Sequence, residues 1–230
     1  MSQMLQREIS VWQTLEHPNV QRLLGLCEGI SDKVPAMVSE WYQHGDINEY
    51  LRPRRHDPKT GFQSLVYQLL TQVWSGLRYL HENSIVHADI KGANVLISDD
   101  HSVRLTDFGF SKLLVDSETK SVSEHSTLSG TCRWMAPEIV DDTSPHSKAS
   151  DIWACGCLVL EVLSGQVPYH TKPTTTSVIL ALARKERPPR PEGIDDTYWR
   201  FSQSCCAILP EERPSIGEVQ SRMRSCRGAI

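Results

Sequence analysis

The chain reads as an α+β fold, on two observations. A few short apolar runs with strand-like turns lie towards the front, and stretches with helical apolar spacing follow behind. The length also suffices. At 230 residues and 39% hydrophobic content the chain can bury a core as one large domain or two small ones.

The elements follow in order. Residues 2–15 read as a helix, because Leu5, Ile9, Trp12 and Leu15 recur at spacings of three and four. His17-Pro18-Asn19 ends it, since proline cannot continue a helix and restricts its predecessor. Residues 20–26 and 35–41 read as two strands, joined by a turn at Gly29-Ile30-Ser31-Asp32. Gly45-Asp46 opens a short helix to Leu51, and residues 52–60 are a polar loop with two prolines. Residues 62–81 are the clearest helix. Leu65, Val66, Leu69, Leu70, Val73, Trp74, Leu77 and Leu80 give it a wide apolar face. Short strands are expected at 95–98 and 103–106. The Ser/Thr-rich stretch 110–128 has the profile of a surface loop. Residues 147–164 are apolar nearly all round and read as a buried helix. Helix-like segments at 175–184, 197–208 and 215–224 alternate with proline-rich breaks.

Composition excludes several classes. Charged residues at 23% rule out a wholly disordered chain. A net charge of −4, from 24 basic and 28 acidic residues, gives no basic nucleic-acid footprint. The longest apolar run, residues 152–160, is too short to span a bilayer and is closed by Asp151 and Glu161. The first ten residues lack a signal-peptide pattern. Seven scattered cysteines point to free thiols in a reducing compartment, hence an intracellular, cytoplasmic location.

The chemistry lies in one constellation. His87-Ala88-Asp89-Ile90-Lys91-Gly92-Ala93-Asn94 follows the long helix and precedes a strand; Asp107-Phe108-Gly109 comes after the next strand pair; Ala136-Pro137-Glu138 closes the Ser/Thr-rich loop. Asp151-Ile152-Trp153-Ala154-Cys155-Gly156 and Arg213 come behind them. In order and spacing these segments resemble the catalytic loop, magnesium-binding turn, activation-segment end and central helix of protein kinases. Small-molecule phosphotransferases share the His-x-Asp-x-x-x-x-Asn loop but do not usually add the Ala-Pro-Glu turn and the Asp-x-Trp-x-x-Gly helix.

The resemblance implies a protein kinase-like fold: a partial small lobe over residues 1–42, a hinge at 40–44 and a mainly helical lobe over 43–230. It implies transfer of the ATP γ-phosphate to a protein hydroxyl, a reaction that runs on positioning and charge neutralisation. Asp89 would accept or orient the attacking hydroxyl's proton, and Lys91 would offset charge on the transferred phosphate. Asn94 and Asp107 would offer oxygen ligands to Mg²⁺. Ser39 falls before the hinge and leaves room behind the adenine; backbone groups of Glu40 and Tyr42 would contact the base. Glu8 stands where the family places the glutamate that pairs with a strand lysine. Arg213 would pair with Glu138. Gly130-Thr131 ahead of Arg133-Trp134-Met135 resembles the tyrosine-kinase-like group, which mostly phosphorylates serine and threonine, and Thr131 would bridge to Asp89 and Lys91. The implied partners are ATP, protein substrates and a regulatory protein, without nucleic acid.

Two departures stand out. Ala88 occupies the place where many kinases carry an arginine that binds an activation-loop phosphate, so ordering through that contact is not expected. No glycine-rich phosphate loop precedes Glu8, and the first lysine, Lys33, lies in a turn. An exposed sheet edge and apolar surface are expected there. These departures keep two alternatives open: a kinase-shaped scaffold without catalysis, and an inactive fragment of a longer kinase. Among the remaining candidates, Cys155 and Cys157 should face different sides of their helix, Cys205-Cys206 should be inert, His17 should be structural, and the cluster at 52–55 should be a solvated loop face.

Overall fold

The computed structural model describes residues 9, 12–29, 35–57, 59, 61–107, 112–113, 131–141 and 144–226. Glu8, Lys33, Phe108, Gly109 and most of the Ser/Thr-rich loop lie outside them.

Ile9 and Trp12 are helical and buried; Leu15 is buried but already past the helix. Two strands follow, β1 (Leu23–Cys27) and β2 (Ala36–Ser39). They pair antiparallel, Leu23 opposite Ser39 and Cys27 opposite Ala36, with an irregularity between Leu23 and Gly25. Alternation buries Leu23 and leaves Leu24 54%, Leu26 41% and Val38 39% exposed, which is the apolar surface expected there.

Helix α1 (Ile47–Leu51) starts where Asp46 accepts hydrogen bonds from the amides of Asn48 and Glu49. Helix α2 (Phe62–Glu82) buries the apolar face read from its spacing. Strands β3 (Ile85–Val86), β4 (Val95–Ile97) and β5 (Val103–Leu105) follow; β4 and β5 form a hairpin with Val95 opposite Leu105. Strand β6 (Lys112–Leu113) pairs with β3, so part of the expected surface loop is instead held by backbone hydrogen bonds. Short α3 (Pro137–Val140) precedes α4 (Lys148–Ser164). The reciprocal capping box of Ser147 and Ser150 opens α4, and Gly165 at φ 73° closes it. Then come α5 (Thr175–Ala183), α6 (Asp196–Cys205) and α7 (Ile216–Cys226).

Helix α4 runs through the interior, with every residue from Ser150 to Val162 buried. It separates two apolar clusters. Cys155, Leu158 and Val159 join α2 and α7 in the larger one; Trp153 and Cys157 join Tyr169 and Cys206 in the smaller. Cys155 and Cys157 therefore do face different sides, and burial raises the pKa of both thiols, which makes them inert packing groups. A Cβ on Gly156 would sit 2.6 Å from Cys206 Sγ and 2.9 Å from the Ser202 carbonyl, so α6 lies directly on the α4 backbone there.

The cluster at 52–55 is not simply solvated. Residues 52–54 form a 3₁₀ turn, and Arg55 donates to the carbonyls of Val162 and Leu163 at the end of α4. Those carbonyls have no partners within the helix, which is why a guanidinium is drawn to them. His17 is structural, stacked on Tyr79 and accepting from the Asn19 amide.

Candidate active site

The loop after β3 places Asp89 in the interior. Lys91 Nζ donates to Asp89 Oδ2 at 2.6 Å, and Asn94 Nδ2 donates to the same oxygen and to the Asp89 carbonyl, both at 2.8 Å. Asp89 Oδ1 is buried and has no partner. Lys91 also donates to Thr131 Oγ1 at 3.1 Å, so the hydroxyl from the end of the Ser/Thr-rich loop reaches the site. Both hydrogen bonds of Asn94 use Nδ2, so its carbonyl oxygen is the side-chain atom suited to a cation. The Thr106 amide donates to the Asn94 carbonyl at 3.1 Å, which ties the end of β5 to this turn. Asp107 follows directly, with φ 65° and an exposed carboxylate.

A second layer holds the loop. Asp151, from the first turn of α4, accepts from His81 Nε2, the His87 amide and the Ala88 amide, each at 2.9 Å. These bonds hold Ala88 in the left-handed region, φ 69°. His87 is fully buried, and desolvation lowers its pKa, although the carboxylates of Asp151, Asp89 and Asp107 pull the other way. Glu161, at the far end of α4, accepts from Asn48 Nδ2, the Gly92 amide and Trp134 Nε1 at 2.8, 3.0 and 2.8 Å. Burial raises its pKa, partly offset by those three donors. Gly92 has no room for a side chain, since a Cβ would meet Asn48 Nδ2 at 2.1 Å.

Arg213 spans the base of the site. Its guanidinium makes a two-pronged pair with Glu138, at 2.6 and 2.7 Å, and reaches the carbonyls of Ala149 and Ala207. After β2, Ser39 at its end is half-buried, Glu40 is exposed and the Tyr42 hydroxyl donates to the Glu40 carboxylate at 2.8 Å. The Glu40 carbonyl accepts from Gln21 Nε2 at 2.9 Å.

The structure thus brings Asp89, Lys91, Asn94 and Thr131 together and joins Glu138 to Arg213. Asp107 lies one residue from the Asn94 turn. The sequence reading missed the roles of Asp151, His81, Glu161, Trp134 and Gln21. A signal existed for two of them: Asp151 and Glu161 are carboxylates bounding an apolar run, and a carboxylate on a buried helix needs donors.

A mainly helical body that presents an Asp–Lys–Asn loop beside a second carboxylate is the build of a phosphotransferase. Comparison with known proteins narrows the class. The model of the protein kinase domain matches residues 1–223, and the chain belongs to the protein kinase family. It is similar to mitogen-activated protein kinase kinase kinase 2 of Arabidopsis thaliana, 33% identical over 218 residues, which is 94% of this chain and 32% of the relative. Mitogen-activated protein kinase kinase kinase 3 of the same plant is 34% identical, over 94% of this chain and 32% of its own length. Serine/threonine-protein kinase BCK1/SLK1/SSP31 of Saccharomyces cerevisiae is 32% identical, over 94% and 14%. The chain spans about a third or less of the length of these curated relatives. Among the described residues, no helix is long and apolar enough to cross a membrane.

Proposed function

We propose that this chain carries the phosphoryl-transfer site of a serine/threonine protein kinase acting in intracellular signalling. The observation that carries the reading is the Asp89 carboxylate, with one oxygen held by Lys91 and Asn94 and the other buried and unpartnered. A buried acceptor without a donor is unfavourable by itself and suits an incoming hydroxyl.

In this reading a serine or threonine hydroxyl donates to Asp89 Oδ1, which orients its oxygen towards the γ-phosphate of ATP and takes up its proton. Lys91, fixed between Asp89 and Thr131, places a positive charge where the transferred phosphoryl group is most negative. Asp151 keeps the loop backbone in place and so holds Asp89 still during transfer. Asn94 and Asp107 offer hard oxygen donors that fit Mg²⁺. When bound there, Mg²⁺ would neutralise phosphate charge. The hinge at 40–44 would hold the base between a small lobe over 1–42 and the helical lobe over 43–230. The free cysteines among the described residues fit a reducing, cytoplasmic setting. Protein substrates are implied, as is a regulatory protein partner.

The test is a thermal shift with MgATP, followed by phosphate transfer to a generic serine/threonine substrate, with Asp89→Asn beside the parent chain. The expected outcome is stabilisation by nucleotide in both proteins and transfer by the parent alone, at least about 100-fold above the variant. Nucleotide binding without transfer in either protein would favour a non-catalytic scaffold. Absence of both would sink the reading for this chain.

A further inference from the structure

Gln21 is fully buried between the hinge and the strand that leads to Asp107. Its amide donates to the Leu105 carbonyl at 2.7 Å, and its carbonyl accepts from the Trp12 indole. Its side chain reaches the other way, with Nε2 donating to the backbone carbonyl of Glu40 at 2.9 Å. That bond fixes the orientation of the carboxamide, since turning it over would set two acceptor oxygens against each other. Oε1 is left buried without a donor. The neighbouring Val20 and Leu23 are apolar and also buried, so packing alone does not call for a carboxamide here. A polar group so placed, with one acceptor unmet, is suited to a ligand that brings a donor.

We infer that Gln21 selects the nucleotide base: its Oε1 accepts from the exocyclic amine of a 6-aminopurine held at the hinge, beside the Glu40 carbonyl. The inference rests on the nucleotide-binding reading given above. An exocyclic amine has two N–H groups, and the site provides two neighbouring acceptors, Gln21 Oε1 and the second lone pair of the Glu40 carbonyl. A 6-oxopurine places a third oxygen against these two and is rejected, because a site built around hydrogen bonds discriminates when they are unmatched. Ser39, immediately before Glu40, is half-buried and carries the smallest hydroxyl side chain.

The experiment measures the affinity of the whole chain for the Mg²⁺ complexes of ADP, IDP and purine riboside diphosphate, in the parent and in Gln21→Met. Methionine keeps the length of the side chain and replaces the carboxamide by a thioether, which accepts only weakly and donates nothing. The parent should bind ADP most tightly, the unsubstituted purine next and IDP most weakly, with roughly tenfold between ADP and IDP. In Gln21→Met that ratio should fall to about twofold or less, through weaker ADP binding. Equal affinity of the parent for ADP and IDP overturns the proposal without any variant having to fold. An unchanged ratio in a Gln21→Met protein that unfolds cooperatively also overturns it, while leaving the nucleotide site standing. Failure of the parent to bind all three diphosphates overturns the nucleotide-binding reading and this inference with it.

Discussion

Ala88 holds a backbone conformation that an L-residue resists, φ 69°, and does so because Asp151 accepts its amide and that of His87. Ala88→Gly should therefore raise stability by about 0.5–1 kcal/mol, read from urea unfolding, since glycine enters this region freely. Loss of stability instead would show that the methyl group packs usefully. Arg213 gives the opposite expectation. Its side chain is fully buried, its guanidinium stacks over Trp153, and it pairs with a mostly buried Glu138. Arg213→Met should cost about 3–5 kcal/mol, because it leaves the carboxylate and the carbonyls of Ala149, Ala207 and Ile208 without their donor. This pair was legible in the sequence, as were Asp89, Lys91, Asn94 and Thr131, because each stands at a fixed offset within a recognisable segment. Gln21 was not, since nothing in its neighbours along the chain says that it meets Glu40.

At the scale of the element, α4 decides most. Its apolar composition showed that it is buried, and its two end carboxylates proved to be what it offers to the site. Glu161 ties the Asp89–Asn94 loop, α1 and Trp134 to one point. Its pKa is raised by burial, so the folded state holds that proton more tightly than the unfolded chain does. The corresponding stability is fully present below the ordinary value of 4.5 and is lost as pH rises through the folded value. Glu161→Gln cannot ionise. Relative to the parent, the variant should gain ground between about pH 5 and about pH 7.5, as followed by urea midpoints at the two values. A constant difference would show that Glu161 does not titrate in that window. The contact of α4 with α6 leads to a separate expectation. Gly156→Ala would force a methyl group against the Ser202 carbonyl and two cysteines, and should lower stability by about 1–3 kcal/mol. The helix bounds were readable to within a few residues from apolar period and caps. Strand β6 was not, because two residues carry no period and pair only through β3.

For the whole molecule the uneven part is the front hairpin. The helical body buries most of its apolar residues and exposes Val167, Leu180 and Leu209 singly, while β1 and β2 display Leu24, Leu26 and Val38 on one short hairpin. An exposed apolar strand surface promotes association. Replacing Leu24 and Leu26 by threonine should change unfolding free energy by less than about 0.5 kcal/mol each and reduce self-association in light scattering at high concentration. A large loss of stability would mean that these side chains are covered. The hairpin is joined to the body through Gln21 and Val20 on β5, and Asp46 bridges to β4, so the segment 39–46 and the loop 87–94 share one short β framework.

What the sequence determined by itself is the fold class, the main helices and which residues of the loop 87–94 come together, because helical period, caps and motif spacing are local properties of the chain. The tertiary structure alone decided which groups hold that loop and the Glu40 carbonyl. Asp151, Glu161 and Gln21 act on residues 19 to 113 positions away, and only burial makes their hydrogen bonds matter, since a carboxylate or carboxamide removed from water must find its partners within the fold.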